Sequence, residues 1–306
     1  MKHPWRWLIL VLVVALLGLA YAALWQSPTP RPGGYAIDLP EIRAFAADSV
    51  GPVEIRAIEV ARTPVPRGGM IAGESLFAKQ PIVVLSYQLV YVDGSTVMVD
   101  TAHDLSLHQR NFDPNGFGFN QQAFDQMQQA MRAAKLILVT HEHLDHLGGV
   151  AQSPFLAEIA PKVLLTQAQA TGPTLSHVGF KPGDLERLNR VDLRAPMLPA
   201  PGVVLIPAPG HSTGSQLIYV RRADGHEFLF VGDIAWDADA IRRATGRPYV
   251  VSHYMLREDR QAVADQLLAL QPLLAEGEVT LIVAHDEAQY RDLLKQGLVV
   301  DGLKLP

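Results

Sequence analysis

The sequence predicts an α/β chain in which two β-sheets carry helices on their outer faces, preceded by an N-terminal hydrophobic helix. Three observations predict it. From about Val53 onward, strand-like and helix-like hydrophobic patterns alternate without a further Pro/Gly linker. A composition of 48% hydrophobic and 19% charged residues over 306 positions supplies a sizeable core and excludes a disordered chain. An uncharged run from Trp7 to Trp25 stands apart from that pattern at the N-terminus.

As a helix the run from Trp7 to Trp25 is about 28 Å long at ~1.5 Å per residue, close to the thickness of a bilayer core. Lys2 and Arg6 precede it, which keeps the N-terminus inside and exports the remainder. Two readings follow. Ala20-Tyr21-Ala22 has the form of a signal-peptide cleavage site, whereas Leu24 and Trp25 continue the apolar run past it, with Trp5, Trp7 and Trp25 placed as interfacial aromatics of an uncleaved anchor. Either way the expected location is the periplasm or the periplasmic face of the inner membrane. The expected organisation is residues 1–26 as signal or anchor, 27–52 as linker and lead-in, and 53–306 as the globular domain.

Within the lead-in, SPTPRPGG at residues 27–34 reads as a Pro/Gly linker, and residues 35–50 as a short helical approach. Ile82–Val92 and Thr96–Val99 flank Asp93-Gly94, a hairpin signal. Phe124, Met127, Met131 and Ala134 share one face of a helix over 121–134, with Asn120 as its N-cap. Leu136–Val139 is a short buried strand. Val203–Ile206, Gln216–Val220 and Phe228–Val231 are strands, the last two joined through Asp224-Gly225. A helix is expected over about 257–275 with a kink at Pro272, then the strand Thr280–Val283 and a helix near 286–295.

The net charge is −5 and no basic run occurs, which argues against binding nucleic acid. There is no cysteine, so disulfides, thiolate ligands, a cysteine nucleophile and iron–sulfur clusters are excluded. A metal site has to use His, Asp or Glu. Such a site is written in Thr140-His141-Glu142-His143-Leu144-Asp145-His146, directly after the strand Leu136–Val139. Positions i and i+2 of an extended backbone point the same way, so His141 and His143 can grip one ion. Asp145 and His146, entering the next helix, turn toward a second ion about 3.5–4 Å away. Glu142 does not belong to an HExxH zinc motif, because Asp145 stands where that motif needs His; it reads as a supporting or surface residue.

This HxHxDH pattern after a strand resembles the metallo-β-lactamase superfamily. The rest of that family's pattern follows in order at strand ends: Asp100, His211 in Pro209-Gly210-His211-Ser212-Thr213-Gly214, Asp233 in Val231-Gly232-Asp233, and His285 in Ala284-His285-Asp286. The resemblance runs over about residues 53–306 and implies a four-layer αββα sandwich with a two-metal centre between the sheets. It implies that His141, His143 and His211 hold the first metal, that Asp145, His146 and His285 hold the second, and that Asp233 bridges them. The all-nitrogen and oxygen set suits zinc best, with manganese or iron as alternatives. Asp100 is expected to orient the ligands, and Asp145 to carry a proton to the leaving group as well as bind. The implied reaction is attack of metal-activated hydroxide on an ester or lactone carbonyl of a small molecule.

Departures from subfamilies narrow that expectation. Class B β-lactamases generally lack an Asp where Asp233 stands. Flavodiiron proteins carry a carboxylate where His143 stands, and add a flavodoxin domain. Acyl-homoserine lactonases keep the ligand pattern and a final His followed by Asp, as in His285-Asp286, but usually place Tyr where this chain has Trp236. Hydroxyacylglutathione hydrolases also share the ligands. The alternatives kept are a phosphodiesterase, a β-lactamase and a non-catalytic metal- or ligand-binding module of the envelope. His103 stands near enough to Asp100 to line the site; His253 and Tyr254 read more readily as packing or surface residues. His3, His108, His177 and His226 read as surface. Phe112, Phe117 and Phe119 either cover a substrate or pack on the helix 121–134.

Overall fold

The computed structural model describes residues 4–305; Lys2 and His3, on which the orientation and one surface assignment drew, lie outside the described residues. Two five-stranded mixed sheets form the centre. The first contains β1 (Glu54–Pro66), β2 (Lys79–Val90), β3 (Thr96–Val99) and β4 (Leu136–Leu138). A small two-stranded sheet follows, β5 (Leu164–Thr166) with β6 (Asn189–Val191). The second large sheet contains β7 (Met197–Ala200), β8 (Val203–Pro207), β9 (Gln216–Arg221), β10 (Glu227–Gly232) and β11 (Thr280–Val283). The last strand, β12 (Val300–Asp301), returns to the first sheet and pairs parallel with β1. The sheet orders are β12-β1-β2-β3-β4 and β11-β10-β9-β8-β7.

Alternation along the strands builds the layers. Val83, Leu85, Tyr87 and Leu89 of β2 point inward, where they meet Leu205, Ile218, Phe228 and Phe230 of the second sheet. Tyr87 and Phe230 meet edge to face at 5.0 Å. The outward residues Val84, Met98 and Ile137 pack under Phe124, Met127 and Met131 of the helix Gln121–Ala133. On the other side Val204, Leu217, Leu229 and Leu281 pack under Val263, Leu267 and Leu270 of the helix Arg260–Glu276. The result is the helix–sheet–sheet–helix layering expected.

Both hairpins form: β2 and β3 pair antiparallel around Asp93-Gly94, with Gly94 at φ 81°, and β9 and β10 pair around Asp224-Gly225, with Gly225 at φ 90°. Asn120 caps the helix Gln121–Ala133, its Oδ1 accepting from Ala123 N. The helix expected from about 257 begins at Arg260 instead. Arg257, at φ 57°, breaks the backbone, and Asp259 caps by accepting from the Gln261 and Ala262 N–H groups. Pro272 sits inside that helix, which continues to Glu276 and ends at the left-handed Gly277.

The apolar helix spans Pro4–Trp25 and is exposed along Trp5–Tyr21. Its length and composition suit a membrane crossing or a signal sequence. Residues 26–35 run along the domain: Tyr35 donates to Pro207 O at 2.8 Å and Arg31 pairs with Asp265 at 2.5 Å.

Candidate metal centre

One end of the sandwich gathers the loops that follow β3, β4, β8, β10 and β11, and the titratable residues converge there. The site is built from the backbone outward. Asp100 ends β3 in the left-handed region at φ 58°, an uncommon conformation for a non-glycine residue. That turn aims its carboxylate back across the sheet. Oδ1 accepts from Thr140 N at 2.7 Å, and Oδ2 pairs with His146 Nδ1 at 2.9 Å. Asp100 therefore fixes both the strand end before His141 and the ring of His146.

The helix Leu144–Ala151 starts inside the motif, with His143 as N-cap and Asp145 in its first turn. Its position requires Gly149, since a Cβ there would fall 1.9 Å from Thr101 O. Two glycines in succession let the helix lie against the loop after Asp100, which brings His146 to Asp100.

His211 comes from the turn between β8 and β9, and buried Glu142 ties that turn down. Its carboxylate accepts from Ser212 Oγ at 2.7 Å, Thr213 Oγ1 at 3.2 Å and Gly214 N at 3.4 Å. Glu142 is thus a supporting residue and not a surface one; burial pushes its carboxyl pKa upward against those hydrogen bonds. Ser212 is a loop residue in that contact, as its place in the sequence suggests.

Seven residues form two adjoining clusters, His141, His143, His211 and Asp233 in one and Asp145, His146 and His285 in the other. Asp233 stands between them. Its Oδ2 lies 3.3 Å from His211 Nε2 and 3.7 Å from His141 Nε2, while its Oδ1 lies 3.1 Å from His285 Nε2 and 3.2 Å from His146 Nε2. Asp145 Oδ2 is 3.6 Å from His285 Nε2. The inward atoms His141 Nε2, His146 Nε2, His285 Nε2 and Asp233 Oδ1 are buried and meet no hydrogen-bond partner among the described residues. Buried polar atoms are rarely left so. Unpaired nitrogens and an unpaired carboxylate oxygen aimed at common points fit divalent ions, and the donor set is one that zinc, manganese or iron accepts.

Behind the inward atoms, the outward ring nitrogens are held. His285 Nδ1 meets Val83 O at 2.7 Å, His211 Nδ1 meets Glu258 Oε1 at 2.7 Å, and His141 Nδ1 lies 3.2 Å from Thr140 Oγ1. Such partners fix the tautomer and aim the other nitrogen inward. The sequence carried no signal for Glu258, nor for Arg247. Buried Arg247 binds Glu258 at 2.6 Å, donates to Asp233 O at 2.5 Å and lies over the Trp236 ring at 4.3 Å. The Trp236 indole N–H donates to Asp233 Oδ2 at 2.7 Å. The residue that departs from the lactonase pattern is therefore a direct partner of the central carboxylate.

The electrostatics match an ion-binding role. Burial and the neighbouring His146 hold His141 well below the ordinary imidazole range, and burial with His211 pushes His143 down to about 3. Burial also works against a charged His146, but Asp100, Asp233 and Asp145 outweigh it and raise its pKa well above the usual value. His285 is raised in the same way, chiefly by Asp233, after opposing burial. Burial would raise the Asp233 carboxyl; His285, His146 and His141 override it and hold it well below the carboxylate range. The carboxylates thus remain ionised and draw positive charge into a buried space.

A cavity of about 420 Å³ opens on the centre, with His143, Asp145 and Asp233 on its wall beside the apolar Ile82, Leu144 and Trp236. Phe112 lines it as well, while Phe119 packs on Phe124 at 5.9 Å and Phe117 is exposed, so the aromatic loop divides between the two expected roles. His177, read as a surface residue, is exposed but sits at this cavity. His103 does not line it: the ring is buried, stacked on Phe112 at 4.8 Å and paired with His108 at 3.1 Å. His108 is correspondingly buried rather than on the surface, its Nε2 2.8 Å from Phe117 O. His226 is exposed. His253 stacks on Tyr249 at 4.7 Å, outside the cavity, and Tyr254 is exposed beside it.

Residues 96–285, more than half of the chain, match the sequence profile of the family described as the beta-lactamase superfamily domain. The chain belongs to the metallo-β-lactamase superfamily. No curated protein matches it. Among solved structures, it resembles a quorum-quenching N-acyl homoserine lactone lactonase at 14% identity, with a TM-score of 0.62 over 80% of this chain and 96% of that one. An N-acyl homoserine lactone hydrolase, bound to the product N-hexanoyl-L-homoserine at its catalytic metal center, matches at 15% identity and TM-score 0.61, over 80% of this chain and 96% of that one. A probable metal-dependent hydrolase from Staphylococcus aureus matches at 14% identity and TM-score 0.60, over 78% and 91%. These likenesses are of fold; within the superfamily the two His/Asp clusters of this chain are consistent with a dinuclear metal site.

Proposed function

We propose that this superfamily member is a dinuclear metallo-hydrolase that opens a carboxylic ester or lactone on the outer side of the inner membrane. The observation that carries the reading is Asp233, whose two oxygens face the two histidine clusters separately. His141, His143 and His211 would hold one ion, Asp145, His146 and His285 the other, and Asp233 both. Two divalent cations supply Lewis acidity, lowering the pKa of a coordinated water from ~15.7 toward ~7 and polarising a substrate oxygen.

The protein's own residues position and protect that chemistry. Asp100, Glu258 and Val83 O hold three imidazoles in orientation. Trp236 donates to Asp233 Oδ2, so its indole fixes the carboxylate without titrating. Asp145 lies on the cavity wall and is the carboxylate placed to pass a proton to a departing alkoxide. Ile82, Phe112, Leu144, Met255 and Leu256 keep water from much of the cavity and suit an acyl group. Arg257 is the one Lys or Arg on that wall among the described residues, where a phosphodiester would call for several cations. The folds it resembles include one with an acyl-homoserine product at its metal center, which supports the same class of substrate.

The test is hydrolysis of a medium-chain acyl lactone by the full chain in detergent, loaded with zinc or manganese, with His143→Ala as control. Turnover lost in the variant supports the reading. No turnover with both ions bound refutes the ester assignment and directs attention to phosphodiesters and β-lactams; two ions bound with no hydrolysis of any of the three classes favours a binding module.

A further inference from the structure

The chain beyond the apolar helix is fastened to the domain, and the fastenings fall beside the cavity mouth. Gly246 N donates to Ser27 Oγ at 2.9 Å, Arg260 donates to Gln26 O at 3.0 Å, and Gln261 donates to Thr29 O at 3.1 Å. Arg31 closes the series on Asp265. Trp25 lies against Gly73, where an added Cβ would be 3.6 Å from its Cδ1. These contact points belong to two rim segments. One is the connection 67–78 between β1 and β2, which leads to Ile82 in the cavity wall; the other is the stretch from Gly246 to Arg257, which supplies Met255, Leu256 and Arg257 to that wall.

The same two segments expose large apolar side chains. Phe77 is 96% exposed, Met255 72% and Tyr254 69%. The opposite end of the sandwich also exposes Val50 and Val92, so exposure alone does not choose a face. The tether does. A helix long enough to cross a bilayer ends at Trp25, and the residues that follow it are bonded to the rim rather than free to swing. An anchored domain meets the lipid surface at high effective concentration, so a few inserted side chains suffice to orient it.

We propose that the domain rests on the bilayer with the cavity mouth turned toward lipid, with Phe77, Tyr254 and Met255 at headgroup depth, and that its substrate is an acyl-chain amphiphile resident in that membrane. The substrate half rests on the ester or lactone reading above; the orientation does not. The chain has no cysteine, so one introduced cysteine carries a nitroxide at one place only. Full-length Phe77→Cys and Met255→Cys are labelled in vesicles of neutral phosphatidylcholine, with Val92→Cys as the far-end reference. Labels at 77 and 255 are expected to collide with dissolved oxygen in preference to a water-soluble nickel chelate, and the label at 92 the reverse. Labels at 77 and 255 as open to nickel as the one at 92 would overturn the orientation.

The substrate half is read from kcat/KM for dodecanoyl against butanoyl lactone in the same vesicles. The Phe77→Ser/Tyr254→Ser chain is expected to lose the long-chain preference severalfold while its short-chain rate holds. An unchanged preference overturns the amphiphile. If neither lactone is hydrolysed by the parent chain, the ester reading fails and takes the amphiphile with it, while the label accessibilities still decide the orientation.

Discussion

Replacing Trp236 with Phe removes one hydrogen bond and little else. The aromatic ring under Arg247 is retained, and the six-membered part of the indole, which the smaller ring approximates, still fills the cavity wall. What is lost is the 2.7 Å bond from the indole N–H to Asp233 Oδ2, made to a buried carboxylate that faces both clusters. A hydrogen bond to a charged group contributes about 1.5–3 kcal/mol net. At ~1.36 kcal/mol per decade that is roughly a tenfold to hundredfold change in an equilibrium constant. The loss of a ligand's outer partner typically weakens metal binding by about 10–100-fold, the same range reached independently. Trp236→Phe is therefore expected to bind zinc about 10–100-fold more weakly than the parent, measured by competition with a chromophoric chelator. Unchanged affinity would refute the assignment of Trp236 to the central carboxylate.

Asp100→Asn keeps the size of a residue that contacts both Thr140 N and His146 Nδ1, and is expected to lower metal affinity by about 10–100-fold in the same titration. Glu258→Ala leaves Arg247 buried without its carboxylate and is expected to cost about 3–5 kcal/mol in urea unfolding, Glu258→Gln distinctly less. Gly149→Ala forces a Cβ onto Thr101 O and is expected to cost at least about 1–3 kcal/mol, whereas Gly18→Ala, with open space around it, leaves the midpoint unchanged. The raised pKa values of His146, His211 and His285 favour their protonated forms in the metal-free chain, so ion binding expels protons and weakens as pH falls; calorimetry in buffers of different ionisation enthalpy reads that release. Without metal the sign for stability is opposite. The contribution of these imidazolium groups is complete below about pH 6.5 and is lost as pH rises through the raised values.

The metal ligands were legible because their chemistry is local. Three histidines and an aspartate within six positions after a buried strand have few other uses, and Asp100, Asp233 and His285 each follow a short apolar run. The supporting contacts were not legible, because each joins segments far apart. Glu142 is read from sequence as a polar loop residue, yet its partner Ser212 is 70 positions away. Glu258 and Arg247 lie in a stretch with no hydrophobic period, and only the fold brings them to His211 and Asp233. His108 sits among polar neighbours in LSLHQRN but turns inward onto His103. The small sheet of β5 and β6 escaped notice because three-residue strands, one of them exposed, carry no alternation to detect. SPTPRPGG shows why a residue run rich in Pro and Gly speaks for irregular backbone and not for a lack of contacts: Ser27, Thr29 and Arg31 are all bonded to the domain.

The central claim is that one buried centre holds two ions around Asp233, and elemental analysis of the full chain after equilibrium dialysis against zinc tests it most directly. Two ions per chain are expected in the parent and one in the His285→Ala/Asp145→Ala chain, since the cluster of His141, His143, His211 and Asp233 stays intact. A single ion in the parent, or two in the double variant, would contradict the claim.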